Sequence, residues 1–326
     1  MKIIVTGGMG FIGSNFIRYR INKHPEDEII NVDKITYASN PLNLVLNKNK
    51  NHKFVNADIV DYEKMKHIAK DADCIVNFAA ESHVDNSISS SDEFVRSNII
   101  GTHTLLKIVK EKGIRFHHIS TDEVFGSLNL RSEEKFNDSS PYNPRNPYSA
   151  TKASSDFLVK AFVNTYGVEA TISNCSNNYG SYQHPEKLIP KTILSAISGK
   201  KIPIYGKGDQ IRDWVHVLDH CSAISLIIDK GKIGSTYLVG GNEETRNIDI
   251  VNKILQIMNI SDNLIEFVED RPGHDVKYAI ETSNELLNLG WQKSIGLKEG
   301  LTDTINHYIK NKKHYENYDK WQGEWN

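Results

Sequence analysis

Along the first half of the chain, short and nearly continuous apolar runs alternate with longer stretches in which apolar residues return at helical spacing. The runs fall at residues 2–6, 29–33, 53–56, 74–79, 115–121 and 169–174. Helix-length stretches of 3.6 periodicity lie between most of them, as at 92–112 and 149–166. Strands that are apolar throughout are covered on both faces, so this alternation predicts a parallel sheet sandwiched between helices. Ligands of such a sheet collect beyond the carboxyl ends of its strands. The unusual polar residues of this chain stand just after the apolar runs.

After about Asn177 the rhythm changes. The pattern reads as a helix at 186–199, a strand at 202–205 and a turn at 206–209. A helix at 217–229 and a strand at 237–239 return to the first domain. From Asn247 the chain reads as helix, strand (265–268), loop and two further helices. Residues 135–147, rich in proline and Asn-Pro, read as a surface loop. No linker or repeat separates the halves, which predicts a large sheet domain and a smaller cap that closes a cleft.

The first apolar run leads directly into Gly7, Gly10 and Gly13, a G-x-x-G-x-x-G spacing. Glycines there let a strand turn tightly into a helix whose N-terminus takes a pyrophosphate. Twenty residues beyond Gly13, Asp33 closes the second run. An acid at that point accepts hydrogen bonds from the adenosine ribose and repels a 2′-phosphate. The pairing predicts an NAD site, with Lys34 beside the acid. Asp58 and Ile59, after the third run, are placed at the adenine. Ala79, Ala80 and Ser82, after the fourth, line the nicotinamide side.

Composition narrows the class without changing it. The 326 residues are 39% hydrophobic and 25% charged, with a net charge of −2 and no basic block. Nothing there favours nucleic acid or a membrane surface. No apolar run approaches the roughly 18 residues of a membrane span, and the glycine turn occupies the place of a signal peptide. Cytoplasmic localisation is expected, with the Asn-x-Ser sequons coincidental. Cys74, Cys175 and Cys221 are scattered in apolar contexts and read as buried free thiols. The thirteen histidines show no metal-ligand spacing, so no metal site is expected.

Two constellations carry chemistry. Tyr148 and Lys152 stand four residues apart at a helix start, which puts both side chains on one face. A nearby ammonium, with a positive nicotinamide ring, favours the phenolate, so Tyr148 is expected to take a proton from a sugar hydroxyl. Thr121-Asp122-Glu123 directly follows the fifth run. Adjacent carboxylates resist joint ionisation, which suits one acid and one base working together. Oxidation or epimerisation needs only the tyrosine, the lysine and a hydroxyl donor. Two further acids imply further proton transfers, and hence elimination of water.

With the glycine turn and Asp33 upstream, Tyr148 and Lys152 resemble the active site of the extended short-chain dehydrogenases/reductases, in their sugar-nucleotide branch. Nearly the whole chain is similar to the dTDP-glucose 4,6-dehydratase family. The likeness is carried by residues 7–13, 32–38, 78–85, 121–126, 148–152, 176–180, 185–190, 212–214 and 270–275. Departures are small: Met9, Ser181 and His184 stand where that family usually has Ala, Pro and an aromatic residue.

The resemblance implies a Rossmann-type doubly wound sheet formed by residues 1–176 with about 214–241. A smaller α/β sugar-nucleotide domain takes 177–213 with about 242–326. It implies that Tyr148, helped by Lys152, removes the C4 hydroxyl proton as hydride passes to NAD, with Thr121 on the C4 oxygen. Glu123 then takes the C5 proton, Asp122 protonates the departing C6 hydroxyl, hydride comes back at C6, and a proton goes back to C5. The product is a 4-keto-6-deoxy sugar nucleotide; which deoxysugar follows, rhamnose or another, is not written in the chain.

Phe11, Ile12, Thr36, Ser97 and Asn178 join the implied cofactor contacts. Lys187, Arg212 and Arg271 are the implied partners of the substrate diphosphate, with Asn177 as an uncharged donor. Leu188, Pro203, Tyr205, Asn247 and His274 complete the substrate side with Ser82 and Thr121. A homodimer is implied, paired through helices 92–112 and 149–166, where Phe157, Leu158, Ala161 and Phe162 cover more than one face. Two other readings compete: a dehydratase or 4-epimerase of a UDP-, CDP- or GDP-linked hexose, and a silent NAD-binding protein. The silent reading needs a broken catalytic position, and Thr121, Asp122, Glu123, Tyr148 and Lys152 are all present.

Overall fold

The structure is a computed structural model that describes residues 1–44, 50–270 and 274–315. Seven strands form its central sheet: Lys2–Thr6 (β1), Glu28–Asp33 (β2), His52–Asn56 (β3), Cys74–Asn77 (β4), Arg115–Thr121 (β5), Ala170–Cys175 (β6) and Thr236–Val239 (β7). Their spatial order is β7-β6-β5-β4-β1-β2-β3, and every pair is parallel. The chain winds outward from β1 to β3, then crosses back to β4 and winds the other way. That reversal opens a crevice beyond the carboxyl ends of β1 and β4.

The two-residue period of β1 divides its side chains between two cores. Ile4 packs with Met65, Leu105, Phe116 and Val159, under helices Tyr62–Ile68, Thr102–Lys112 and Pro147–Tyr166. Ile3 and Val5 pack with Phe16, Ile17, Cys221 and Ile224, under Phe11–Lys23 and Val217–Lys230. All three β1 residues are fully buried, and truncating either isoleucine to alanine is worth about 2–5 kcal/mol. The three cysteines are buried free thiols, as expected. No helix among the described residues is long and apolar enough to cross a membrane.

A smaller layer lies beside the carboxyl edge of the sheet. Helices Leu188–Ile197, Asn247–Met258 and Leu297–Lys310 pack around Ile193, Trp214, Ile250, Ile254 and Leu301. Three short strand pairs complete it: Asn177–Tyr179 with Trp214–His216, Ile211–Arg212 with Thr245–Arg246, and Ile202–Tyr205 with Ile265–Val268.

Three local features differ from the sequence pattern. The apolar run at 74–79 leaves the sheet at Asn77, because Ala79 N turns to hydrogen bond with Thr6 Oγ1 at 3.4 Å. The expected single helix at 92–112 is interrupted by a π-helical turn, Val95–Gly101. There the Asn98 side chain pairs with Glu81 N (2.9 Å) and Glu81 O (3.1 Å), tying the helix to the loop after β4. The loop at 135–147 is not wholly at the surface: Phe136 is buried against Phe125, and Tyr142 packs edge-on against Phe125.

Candidate active site

The turn after β1 is built by contacts that only glycine permits. Gly7 has φ +69°, and a Cβ there would lie 2.7 Å from Ala79 N. A Cβ on Gly13 would lie 2.4 Å from Gly7 O. The turn delivers Gly10 as the N-cap of Phe11–Lys23 with no side chain capping it, so the first-turn N–H groups remain for an anion. The same loop fixes Asp33, which accepts from Met9 N (3.0 Å), Ile35 N (2.8 Å) and Ser39 Oγ (2.8 Å). Burial raises the Asp33 carboxyl above its ordinary value, and these donors with Lys34 oppose it. The uncapped helix end and the buried acid fit a dinucleotide with a free ribose. We expect Gly13→Ala to weaken NAD binding at least tenfold, about 1.4 kcal/mol, by isothermal titration with folding unchanged by circular dichroism.

A cleft of about 310 Å³ runs from this turn to the ends of β5 and β6. The structure gathers most of the expected cofactor residues along it: Gly7, Gly10, Phe11, Ile12, Gly13, Asp33, Lys34, Thr36, Asp58, Ile59, Ala79, Ala80, Ser82 and Ser97. At its far end stand Thr121, Asp122, Glu123, Tyr148, Lys152, Asn177, Asn178 and Lys187. His184, one of the departures from the family pattern, also lines it and packs edge-on against Tyr37. Contacts span the mouth: Lys187 Nζ donates to Ser82 O (3.4 Å), His83 meets Glu186 (3.6 Å), and Tyr205 OH reaches Asp85 (3.5 Å).

Leu188, Pro203, Tyr205, Arg212, Asn247 and His274 do not line this cleft, and Arg271 lies outside the described residues. Tyr205 sits on the Ile202–Tyr205 strand against His274, whose ring is 2.7 Å from Asp270. Asn177 Oδ1 and Asn247 Oδ1 are buried without a hydrogen-bond partner in the protein.

Thr121 closes β5 and caps the turn Asp122–Phe125, accepting from Glu123 N at 3.3 Å. Its hydroxyl donates to Asp122 Oδ1 at 3.3 Å and is hydrogen bonded to Tyr148. Asp122 is almost fully buried, and burial, then Glu123 and Asp213, raise its carboxyl well above the ordinary range. This environment favours its protonated form over the carboxylate. Tyr148 and Lys152 share one buried helix face, as their spacing predicts, because Asn146 and Ser149 form a capping box that starts the helix at Pro147.

Among the protein's own groups the balance at Tyr148 runs against the phenolate. Burial, followed by Glu123 and Cys175, pushes its phenol well above the ordinary value, while the Thr121 hydrogen bond opposes. Lys152 is itself lowered to about 8 by burial, with Asp156 and Cys175 pulling it back up. Desolvation and the Glu123 carboxylate work against the phenolate, so it depends on the cation expected beside Lys152 in the cleft. A bound nicotinamide ring is such a cation.

Three site residues, Tyr278, His118 and Asp156, were not legible in the sequence. Tyr278 donates its hydroxyl to the Asp275 carboxylate and faces Glu123 Oε2 at 3.4 Å. The Arg212 guanidinium lies 4.4 Å from the Tyr278 ring centre and donates to Asp275 O at 2.9 Å. Arg212 thus stands behind the two carboxylates, where it favours ionised Asp122. Beneath Lys152 lie His118 and Asp156, both buried. Asp275 ends a segment that carries the family likeness, but no local pattern marks Tyr278, His118 or Asp156.

Comparison with known proteins agrees with this geometry. Residues 4–304 match the family model described as GDP-mannose 4,6 dehydratase. A dTDP-glucose 4,6-dehydratase of Mycobacterium tuberculosis is 45% identical, covering 95% of this chain and 94% of that one. One of Haemophilus influenzae is 46% identical over 95% of this chain and 98% of its own length. The crystal structure of the Streptomyces venezuelae dTDP-glucose 4,6-dehydratase DesIV with NAD bound superposes with a TM-score of 0.94. It shares 38% identity and covers 98% of this chain and 100% of its own. This chain belongs to the dTDP-glucose 4,6-dehydratase family.

Proposed function

We propose that this chain converts dTDP-glucose to dTDP-4-keto-6-deoxyglucose and water, with NAD as a cofactor that ends each cycle as it began. The observation that carries the reading is the placement of two carboxyl groups, Asp122 and Glu123, beside Thr121, Tyr148 and Lys152 in one cleft. Bound NAD supplies the hydride acceptor at C4 and the donor at C6; the protein's groups move the protons. Tyr148 takes the C4 hydroxyl proton while Thr121 holds the C4 oxygen. The 4-ketone acidifies C5, whose proton goes to Glu123. Asp122, whose burial favours its protonated form, gives a proton to the leaving C6 hydroxyl. As hydride returns to C6 a proton goes back to C5 from Glu123, leaving the C4 ketone; the proton taken by Tyr148 replaces the one Asp122 gave up.

Residues 1–176 with about 214–241 hold NAD in this reading, and 177–213 with about 242–326 hold the sugar nucleotide. Lys187, Arg212 and Arg271 neutralise the diphosphate, with Asn177 as an uncharged donor and Asn247 on the substrate side. The enzyme works in the cytoplasm as a homodimer. Support for the dimer comes from apolar side chains left in solvent on the two expected helices: Phe157 is 56% exposed, Ile100 49% and Val95 41%. We expect Phe157→Glu to shift the protein from dimer to monomer in light scattering after size exclusion, weakening association at least tenfold.

The testing experiment is mass spectrometry of purified protein incubated separately with dTDP-glucose, UDP-glucose, CDP-glucose and GDP-mannose, with NAD supplied. Loss of one water from dTDP-glucose alone is the expected result. Water loss from another donor replaces the substrate and keeps the chemistry. No mass change with any donor overturns the dehydratase reading.

A further inference from the structure

Tyr148, Lys152 and Asp156 follow one another at four-residue steps on the helix Pro147–Tyr166, so they form one stripe. Tyr148 and Lys152 face the cleft, and Asp156 lies fully buried beneath it. Lys152 Nζ donates to Ile119 O at 2.7 Å and lies 3.3 Å from His118 Nε2. The same imidazole nitrogen is 3.5 Å from Asp156 Oδ1. The ring is held from its other side, where Nδ1 meets Asn77 Nδ2 at 3.3 Å.

Asp156 is built as an anion site. Its Oδ2 accepts from Ser120 Oγ (2.8 Å), Tyr142 OH (2.9 Å) and Asn174 Nδ2 (3.2 Å). Its Oδ1 has no hydrogen-bond partner and faces the imidazole; burial raises the carboxyl, and Lys152 with the three donors opposes that. A buried carboxylate is costly unless its charge is used. The structure shows what uses it: Asp156 and Lys152 each act on the other's charge, across a ring that burial and Lys152 keep neutral. Cys175 also faces Lys152, but burial raises its thiol and keeps it uncharged.

We propose that Asp156, with the His118 ring packed between, is a positioning residue that holds the Lys152 ammonium charged on the helix face it shares with Tyr148. It rests on the reading of Tyr148 as the base, and it assigns the buried His118–Asp156 pair a part in the reaction rather than in folding alone. Burial works against the ammonium and Asp156 supports it, and the ammonium is the cation that Lys152 offers the phenolate from the same helix face. The sign follows. Removing the Asp156 charge favours neutral Lys152, which raises the pH at which Tyr148 ionises.

The test is ultraviolet titration of tyrosinate in NAD-loaded protein, taken as the difference between each protein and the same protein carrying Tyr148→Phe. For Asp156→Asn the Tyr148 midpoint is expected to rise by about one pH unit or more, a tenfold loss of phenolate at fixed pH. Tyr142→Phe, at the half-buried edge, removes one donor to Asp156 without touching the core and is expected to move the midpoint the same way by less. A folded Asp156→Asn protein with an unmoved midpoint overturns the proposal. If that variant does not fold, an unmoved midpoint in Tyr142→Phe overturns it. The titration needs no sugar nucleotide, so its outcome stands apart from failure of the dehydratase reading, which the mass assay reports.

Discussion

Replacing Glu123 by Gln is expected to leave an enzyme that oxidises C4 and then stops. Glutamine keeps the shape of the side chain and its place opposite the Tyr278 hydroxyl, 3.4 Å from Glu123 Oε2, but it cannot take a proton. Tyr148, Thr121 and Lys152 are untouched, so the C4 proton and hydride still leave. Without a base the C5 proton stays, the C6 hydroxyl is not expelled, and reduced cofactor accumulates in the site. General-base catalysis contributes roughly 10²–10⁴-fold, and the steady-state rate is expected to fall by that amount. Stopped-flow absorbance of reduced nicotinamide reads the trapped species, and hydrogen exchange at C5 in deuterated water reads the missing step. Wild-type turnover in this variant would remove Glu123 from the mechanism. A variant with neither reduced cofactor nor product would place Glu123 in C4 oxidation instead.

Much of the scaffold was legible because parallel strands covered on both faces must be apolar throughout. The runs at 2–6 and 115–121 coincide with β1 and β5, and the others shift by one or two residues at their ends. The glycine turn and the Tyr148–Lys152 pair were legible for the same kind of reason: each is a short-range pattern with a steric or helical cause. What the sequence concealed depends on contacts between distant segments. Within the π-turn at Val95–Gly101 Asn98 pairs with Glu81, and a 3.6-residue apolar period continues through the turn unmarked. Tyr278 reaches Glu123 across 155 residues.

The pair His117-His118 shows the limit clearly. As a dipeptide it has no metal-ligand spacing, and that is all the sequence says. In β5 the two rings point to opposite faces of the sheet. His117 meets Thr171 and Ser173 as a structural group, while His118 meets Lys152 and Asp156 under the reacting tyrosine. Adjacent residues of one type thus acquire different roles from strand geometry alone.

Asp122→Asn separates the two acids by their products. Asp122 is expected to act as the proton donor because burial, Glu123 and Asp213 hold its carboxyl well above the ordinary carboxylate range. An amide in the same place keeps the polarity and loses the proton. C4 oxidation continues, and Glu123 still takes the C5 proton, so deuterium enters C5 from heavy water. Departure of the C6 hydroxyl slows by about 10²–10⁴-fold for want of an acid. The same carboxyl gives the sign of the pH dependence in the unmodified enzyme. A raised acid keeps its proton through the range where ordinary carboxylates have lost theirs, and water elimination declines as pH rises through its elevated value. In Asp122→Asn that decline disappears from the residual rate. Exchange at C5 is therefore the deciding measurement: it persists in Asp122→Asn and is lost in Glu123→Gln. The opposite pattern would exchange the two roles, with Glu123 protonating the leaving group and Asp122 drawing the proton from C5.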